Sequence, residues 1–197
     1  MANTSAIAAT CEAVIRLLRA SHNPQDFNGV PLDFEVYVAE NFTRPMEAGV
    51  SLFLYRIYHN TALRTPPGRL LPNGDRQATK LPLDLHFLLT AWAKTASLQH
   101  EIAGWALRTM EDNPTLSAGL LNAYRPGVFR NEEAVDVVLT TLSVDDMFHI
   151  WEVMINRVYQ LSIPYMARMV QIESGRTTDT EGAPVQLRVG DYQLIQR

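Results

Sequence analysis

The residues between Leu81 and Ala91 alternate strictly between apolar and mixed side chains. A leucine or a phenylalanine occupies every second position, at Leu81, Leu83, Leu85, Phe87 and Leu89. Side chains on a β-strand point to opposite faces in turn, so this spacing places all of them on one face of a strand. The chain must therefore fold around a sheet that has at least one strongly apolar face.

Four other stretches are also predicted to be strands. Residues 33–41 and 50–59 are predicted to pair as a hairpin, and residues 50–59, which are apolar on both faces, are expected to be central and covered. Residues 134–142 and 163–173 are the other two. Together with residues 81–91, they supply five predicted strands.

Helical periodicity separates these strands. The first predicted helix begins after Ser5, and its apolar positions follow the three-and-four spacing of one buried face; they are Ile7, Cys11, Val14, Ile15 and Leu18. Residues 97–111 and 115–123 are also predicted to be helical, and Ser143 with Asp146 resembles a capping box that opens a further helix. A chain of 197 residues with this mixture predicts a single α/β (α+β) domain.

Residues 60–80 form a long connection that is too rich in proline and glycine for a helix or a continuous strand. The connection is locally basic, with Arg64, Arg69, Arg76 and Lys80 facing only Asp75. Long connections inside a domain tend to be functional or mobile. Two interpretations stay open, a solvated loop and a contact surface for an acidic protein partner. Nucleic acid is disfavoured because no aromatic residue lies between the charges to stack on bases.

The end of the chain is a second candidate contact segment. Residues 1–174 are predicted to form the main domain, and residues 175–197 a polar linker with a strand-like segment. The candidate contact residues of that segment are Val185, Leu187, Val189, Tyr192 and Leu194. Such a strand either folds back on its own sheet or adds to the sheet edge of a neighbour.

Signals for metal, thiol or phosphate chemistry are missing. His100 with Glu101 begins like a zinc-protease motif, but the second histidine that the motif needs is replaced by Gly104. Cys11 is the single cysteine and is predicted to be a core residue. No glycine-rich phosphate loop is present. No cofactor and no metal are therefore expected.

Two sets of side chains have the types used in acid–base catalysis. Asp84 and His86 share one face of a strand, and Asp145 with Asp146 precedes His149 on a helix. A small hydrolase or ligand-binding domain that uses them is one hypothesis. Carboxylates in the first helical turn are also favoured by the helix dipole, which is the simpler explanation. The chain is therefore predicted not to be an enzyme.

Charge and the start of the chain indicate where the protein works. A net charge of -4 and a pI near 5.7 disfavour a general affinity for nucleic acid or anionic membranes. The first residues lack the pattern of a secretory signal, and no apolar run approaches the roughly 20 residues that span a bilayer. Synthesis and assembly in the cytoplasm are therefore expected, without membrane insertion.

Several stretches together resemble the cap proteins, also called tail terminators, of extracellular contractile injection systems. The most similar runs are residues 60–64 and 81–92, which flank the basic connection. Residues 99–114 resemble the next helix and turn of that family, and residues 142–146 and 161–174 resemble its closing helix and strand. The resemblance covers nearly the whole chain in the right order.

The resemblance implies a fold, a function and partners. The implied fold is that of phage tail terminators, a twisted mixed sheet flanked by helices. The implied function is a structural cap that forms a homohexameric ring on the inner tube and the sheath, at the end distal to the baseplate, in a particle that is released or stays in the cell. The partners are the chain itself, sheath subunits and tube subunits. Another tail-completion or baseplate adaptor subunit is the alternative hypothesis.

Overall fold

One mixed sheet organises the computed structural model, which describes residues 2–62, 80–154 and 159–173. Its strands are β1 (Asp33–Tyr37), β2 (Gly49–His59), β3 (Lys80–Trp92), β4 (Thr115–Ser117), β5 (Ala134–Leu139) and β6 (Ser162–Glu173). They lie side by side in the order β1-β2-β3-β6-β5-β4. The strand with the strictest alternation, β3, therefore lies inside the sheet, between antiparallel neighbours β2 and β6.

The predicted hairpin between the first two strands is wrong, because β1 and β2 pair in parallel. The connection between them contains a short 3-10 helix, Ala39–Thr43, whose Phe42 is buried against Tyr37 at 5.3 Å between ring centroids. Because this ring is buried, residues 38–48 cross one face of the sheet. They bring the chain back beside the first residue of β1, where β2 begins. Parallel pairing needs such a crossover.

The α-helices of the described residues are α1 (Ala6–Ser21), α2 (Ala96–Asp112), α3 (Ala118–Leu121) and α4 (Val144–Met154). The helix predicted at residues 115–123 is partly wrong, because its first residues form β4, whose Leu116 is buried and pairs with Val135 of β5. Pairing across the sheet overrides the helical tendency of this stretch. The strand predicted at residues 134–142 ends earlier, at Leu139.

The predicted helix caps have different outcomes. Ser143 caps α4 as predicted, because its Oγ accepts a hydrogen bond from the N–H of Asp146 at 3.0 Å. Ser5 is in the capping position of α1, but its side chain accepts no capping bond. Asn3 performs a related role, since its Oδ1 accepts a hydrogen bond from the N–H of Ser5 at 2.8 Å.

Two apolar clusters lie on opposite faces of the sheet. The larger cluster packs α1, α2 and α3 against one face, and alternation directs Leu52 of β2 and Leu89 of β3 into it. The smaller cluster lies on the other face, where its fully buried members are Tyr37, Phe42, Trp92 and Trp151. Trp151 comes from α4, so helices cover both faces. The prediction of an α/β domain with a mixed sheet flanked by helices is confirmed.

Cys11 belongs to the larger cluster, as predicted. Its side chain is buried, and burial raises the pKa of the thiol to about 12. The nearby charge of Glu12 acts in the same direction. The thiolate, which is the reactive form, is therefore strongly disfavoured at neutral pH.

Candidate functional site

Most residues predicted to form contacts lie outside the described residues. These are Arg64, Arg69, Arg76, Val185, Leu187, Val189, Tyr192 and Leu194. Their roles stay predictions. Lys80 is described, and it is the first residue of β3. Its surroundings show where the two candidate contact segments join the domain.

Both segments leave the sheet at the same end and from adjacent strands. Lys80 opens β3, Glu173 closes β6, and the two residues are register partners in the antiparallel pair. His59 closes β2 and pairs with Leu83, close to the same end. The end of the basic connection and the start of the C-terminal segment therefore lie side by side.

A buried carboxylate holds this end of the sheet together. The side chain of Glu173 is only 8% exposed and accepts an ion pair from Lys80 Nζ at 2.9 Å. Arg130 Nη2 lies 3.2 Å from its other oxygen. The N–H of Glu173 donates to the carbonyl of Ala2 at 2.9 Å. Lys80, Arg130 and Glu173, here called the exit clasp, fix the points where the two segments leave the domain.

The charges of the exit clasp lower the pKa of Glu173 below its ordinary value. Burial by itself would raise this pKa, because a buried carboxylate loses its hydration. The hydrogen bond and charge of Lys80, with the charge of Arg130, outweigh burial. The clasp therefore keeps Glu173 ionised at neutral pH.

We expect the substitution Glu173→Gln to destabilise the fold by about 1 kcal/mol at pH 7, because the amide keeps the shape but loses both charged contacts. A carboxyl whose folded pKa is lowered stabilises the fold above its unfolded pKa, near 4.5, and this stabilisation disappears as the pH falls through the folded pKa. The loss of stability relative to the parent chain, measured by urea unfolding, should therefore be smaller at pH 3 than at pH 7.

Glu47→Gln is the matched control for this measurement. Glu47 pairs with Lys94 at 2.8 Å, but both side chains are exposed to solvent, where ion pairs contribute little. We expect this variant to match the parent chain at both pH values. An equal loss of stability for Glu173→Gln at both pH values would contradict an electrostatic clasp.

A cleft of about 350 Å³ opens beside the exit clasp. Its acidic side chains already stabilise nearby backbone and side chains. Glu133 Oε2 accepts the N–H of Arg130 at 2.6 Å, and Asp136 Oδ1 accepts the hydroxyl of Thr115 at 2.8 Å. Within the described residues, no three His, Cys, Asp or Glu side chains are placed to hold a metal ion.

The carboxylate of Asp84 has a structural role. It accepts two hydrogen bonds from the amide of Asn60, at 2.9 and 3.1 Å, and one from the N–H of Met169 at 2.9 Å. Met169 has a left-handed φ of 57° where the pairing of β3 with β6 shifts register. The hydrogen bonds of Asp84 therefore link the irregular part of β6 to the residue that follows β2.

His86 lies in an aromatic group on the same sheet face. Its ring centroid is 5.3 Å from that of Tyr58 and 6.2 Å from that of Tyr55. The guanidinium of Arg56 lies 4.7 Å from the Tyr58 ring centroid. Burial, with the charge of Arg56, lowers the pKa of His86 against the influence of Asp84, so the imidazole is neutral at pH 7. These ring contacts fit a packing role for His86.

The acidic residues of α4 lie on its exposed first turn, where Asp146 Oδ2 accepts the hydroxyl of Ser143 at 2.7 Å. His149 Nδ1 is 3.8 Å from Glu152 Oε2 at the surface. The structure therefore brings Asp146 to the helix cap, and His149 to a surface pair with Glu152. This placement fits the simpler, structural explanation.

Sequence reasoning missed an exposed apolar patch on α4. Val144 and Phe148 lie one helical turn apart on its outer side, and Phe148 is 54% exposed. The ring centroid of Tyr159 lies 5.5 Å from that of Phe148, above the buried Trp151. Spacing gave no clear signal of this exposure, because Phe148 lies three residues before Trp151 and so shares the spacing of a buried stripe.

A second surface that sequence reasoning missed lies between α1 and the strands. It is a groove of about 480 Å³ with a mainly apolar lining. Ile7 and Cys11 of α1 contribute to one wall, Leu54 of β2 and Val38 to another, and Tyr124 to its rim. Val38 is 63% exposed.

No helix among the described residues is both long and apolar enough to cross a membrane.

One protein family matches most of the chain. A family model described as the Pvc16 N-terminal domain matches residues 9–186. No curated protein matches the sequence.

Two similar solved structures are a terminator and a cap. One is the sheath/tube terminator of PVC, an extracellular contractile injection system, in the extended state, with a TM-score of 0.60, 18% identity and 96% of this chain covered. The other is the tube-terminating cap of the anti-feeding prophage, with a TM-score of 0.58, 15% identity and 84% of this chain covered. The chain spans 65% and 55% of the lengths of these two proteins.

Proposed function

Since the chain belongs to the Pvc16 N-terminal domain family, we propose that it is a structural terminator of a contractile injection particle. One observation carries the proposal. The likeness to the PVC sheath/tube terminator extends over 96% of this chain, so it includes the sheet, the helices on both faces and the ends of the strands.

We propose that six copies form a ring on the inner tube and the sheath, at the end distal to the baseplate. A closed ring needs two different surfaces on each subunit, because the contact between neighbours is heterologous. The basic connection with Arg64, Arg69, Arg76 and Lys80 is one proposed surface. The segment with Val185, Leu187, Val189, Tyr192 and Leu194 is a further proposed contact surface, toward the ring, the tube or the sheath. The exit clasp supports a contact role for both segments, because it holds their attachment points together at one end of the domain.

The proposed terminator acts by contact and not by catalysis. Its partners are sheath subunits, tube subunits and further copies of itself, and it needs no cofactor. Assembly takes place in the cytoplasm, within a particle that is released or retained. Described titratable groups support this proposal, because Asp84, Asp136 and Glu173 all hold parts of the fold together.

Electron microscopy of particles assembled with and without the protein tests the proposed function. With the protein, we expect tubes of uniform length and a six-fold ring at the end distal to the baseplate. Without it, tube and sheath should continue to grow to variable lengths, because no subunit occupies their growing end.

The position of the protein in the particle separates the alternatives. Density at the baseplate would identify a tail-completion or baseplate adaptor instead. A stable monomer that leaves particle length unchanged, with a ligand bound near Asp84 or His149, would favour the hydrolase or ligand-binding hypothesis. Either result would overturn the proposed terminator.

A further inference from the structure

Half of β2 has an open edge. Residues 49–53 pair with β1 on one side and with β3 on the other. Leu54 and residues 56–59 pair with β3 alone, within the part of the chain that the structure describes, and the pairing shifts register between Leu54 and Arg56. Their outward N–H and C=O groups form a template on which another strand can pair. This open stretch is about 20 Å long, at roughly 3.3 Å per residue.

The open edge exists because the chain leaves the sheet after β1. Beyond Tyr37, the 3-10 helix at Ala39–Thr43 turns toward the face covered by α4. No other described strand therefore pairs with the outer edge of residues 54–59. Ile57 and Tyr58 on the open edge are each 46% exposed. Exposed apolar side chains on an unpaired edge are unusual in an isolated domain, since natural edges are normally short, charged or covered.

The apolar groove lies where this edge begins. Leu54 is both the first residue of the open edge and part of the groove lining, opposite Ile7 and Cys11 of α1. A strand that pairs with the edge would therefore place alternate side chains toward the groove. The site selects an extended segment with apolar residues at every second position.

We propose that the open edge of β2 accepts residues 185–189 of a neighbouring copy of this chain as an added strand. These residues alternate as required, with Val185, Leu187 and Val189 separated by Gln186 and Arg188. A strand of this length extends over about 17 Å, which fits within the open edge. The proposal rests on the proposed ring, and it names one contact between its subunits.

The donor segment is long enough to reach a neighbouring copy. Glu173, after which the segment begins, lies at the end of the sheet that also contains His59, the last residue of the open edge. Residues 174–184 reach up to roughly 36 Å when extended, which is enough to leave the domain. Donor and acceptor are different surfaces of one chain, so the same contact repeats around a closed ring.

Hydrogen–deuterium exchange on the purified ring tests this proposal. In the full chain, we expect the outward amides of residues 54–59, about half of them, to exchange at least tenfold more slowly than in a chain that ends at Pro184. Leu187→Asp should abolish this protection, because it places a charge in the apolar groove. Gln186→Asp, on the other side of the added strand, should keep it.

Each outcome decides the proposal. Amides of residues 85–89, which β2 and β6 enclose, should exchange equally in all variants and thereby show that the domain is folded. Protection that is unchanged by truncation would overturn the proposal. Protection that persists after dilution to monomers would assign the edge to the chain's own segment, and would also overturn it. Neither result bears on particle length, so the proposed function is tested separately.

Discussion

A chain that ends at Pro184 is expected to keep its stability but to bind the ring, tube or sheath at least tenfold more weakly. Both apolar clusters are built from residues before 174, so the truncation removes no member of the described core. A tenfold loss corresponds to about 1.4 kcal/mol, which is modest for an added strand with three apolar side chains. Urea unfolding measures stability, and sedimentation with purified sheath and tube measures attachment.

The control is a chain of full length in which residues 185–195 are replaced by glycine and serine. This variant keeps the length of the segment but not its side chains, and it should behave like the truncated chain. If chains that end at Pro184 still produced capped particles of normal length, the proposed role of the C-terminal segment would be wrong.

The substitution Gly49→Ala is expected to destabilise the fold by about 3 kcal/mol or more. Gly49 has a φ of +146° and lies beside Asp33 at the start of the parallel pair. A Cβ at this position would lie 2.0 Å from the carbonyl oxygen of Asp33, which is backbone and cannot rotate away. The strand β1 would have to separate from β2, with loss of packing around Phe34.

Gly104→Ala is the matched control. Gly104 lies within α2, and a Cβ there would meet nothing within 4 Å. Alanine is the better helix former, so we expect a gain of about 0.5–1 kcal/mol. Urea unfolding of both variants measures the difference. A Gly49→Ala chain as stable as the parent would show that β1 does not depend on this close approach.

Elements with a strong local period could be predicted from the sequence. Residues 81–91 alternate because β3 has one face in the main core, and α2 follows the three-and-four spacing. The cap at Ser143 was also predictable, because a capping residue acts within one helical turn.

Features that depend on distant partners could not be predicted. The parallel pairing of β1 with β2 results from burial of Phe42 beneath Trp151, which lies more than a hundred positions later in the chain. The strand β4 forms because Leu116 pairs with Val135 of β5 in the sheet. The exit clasp requires Arg130 and Glu173 to meet, and neither residue has a local pattern that indicates the contact.

The resemblance to the cap protein family, which was noted from the sequence, is confirmed by the family match. It depended on the order of several runs across the chain, and not on any single motif. The contact segments stay predictions, because they were inferred from composition and alternation alone. Only Lys80 among those residues can be placed, and its visible role is to hold the end of the sheet.

The position of the exit clasp has a mechanical consequence. β3 begins and β6 ends at the same end of an antiparallel pair. The basic connection and the C-terminal segment are therefore attached to the two strands at their last pair of residues. A force that pulls the segments apart acts first on the contact between Lys80 and Glu173, and then on one pair of residues at a time. A force that pulls both segments in the same direction is shared by the whole sheet. The domain should therefore resist a common pull from its partners much better than a pull that separates them.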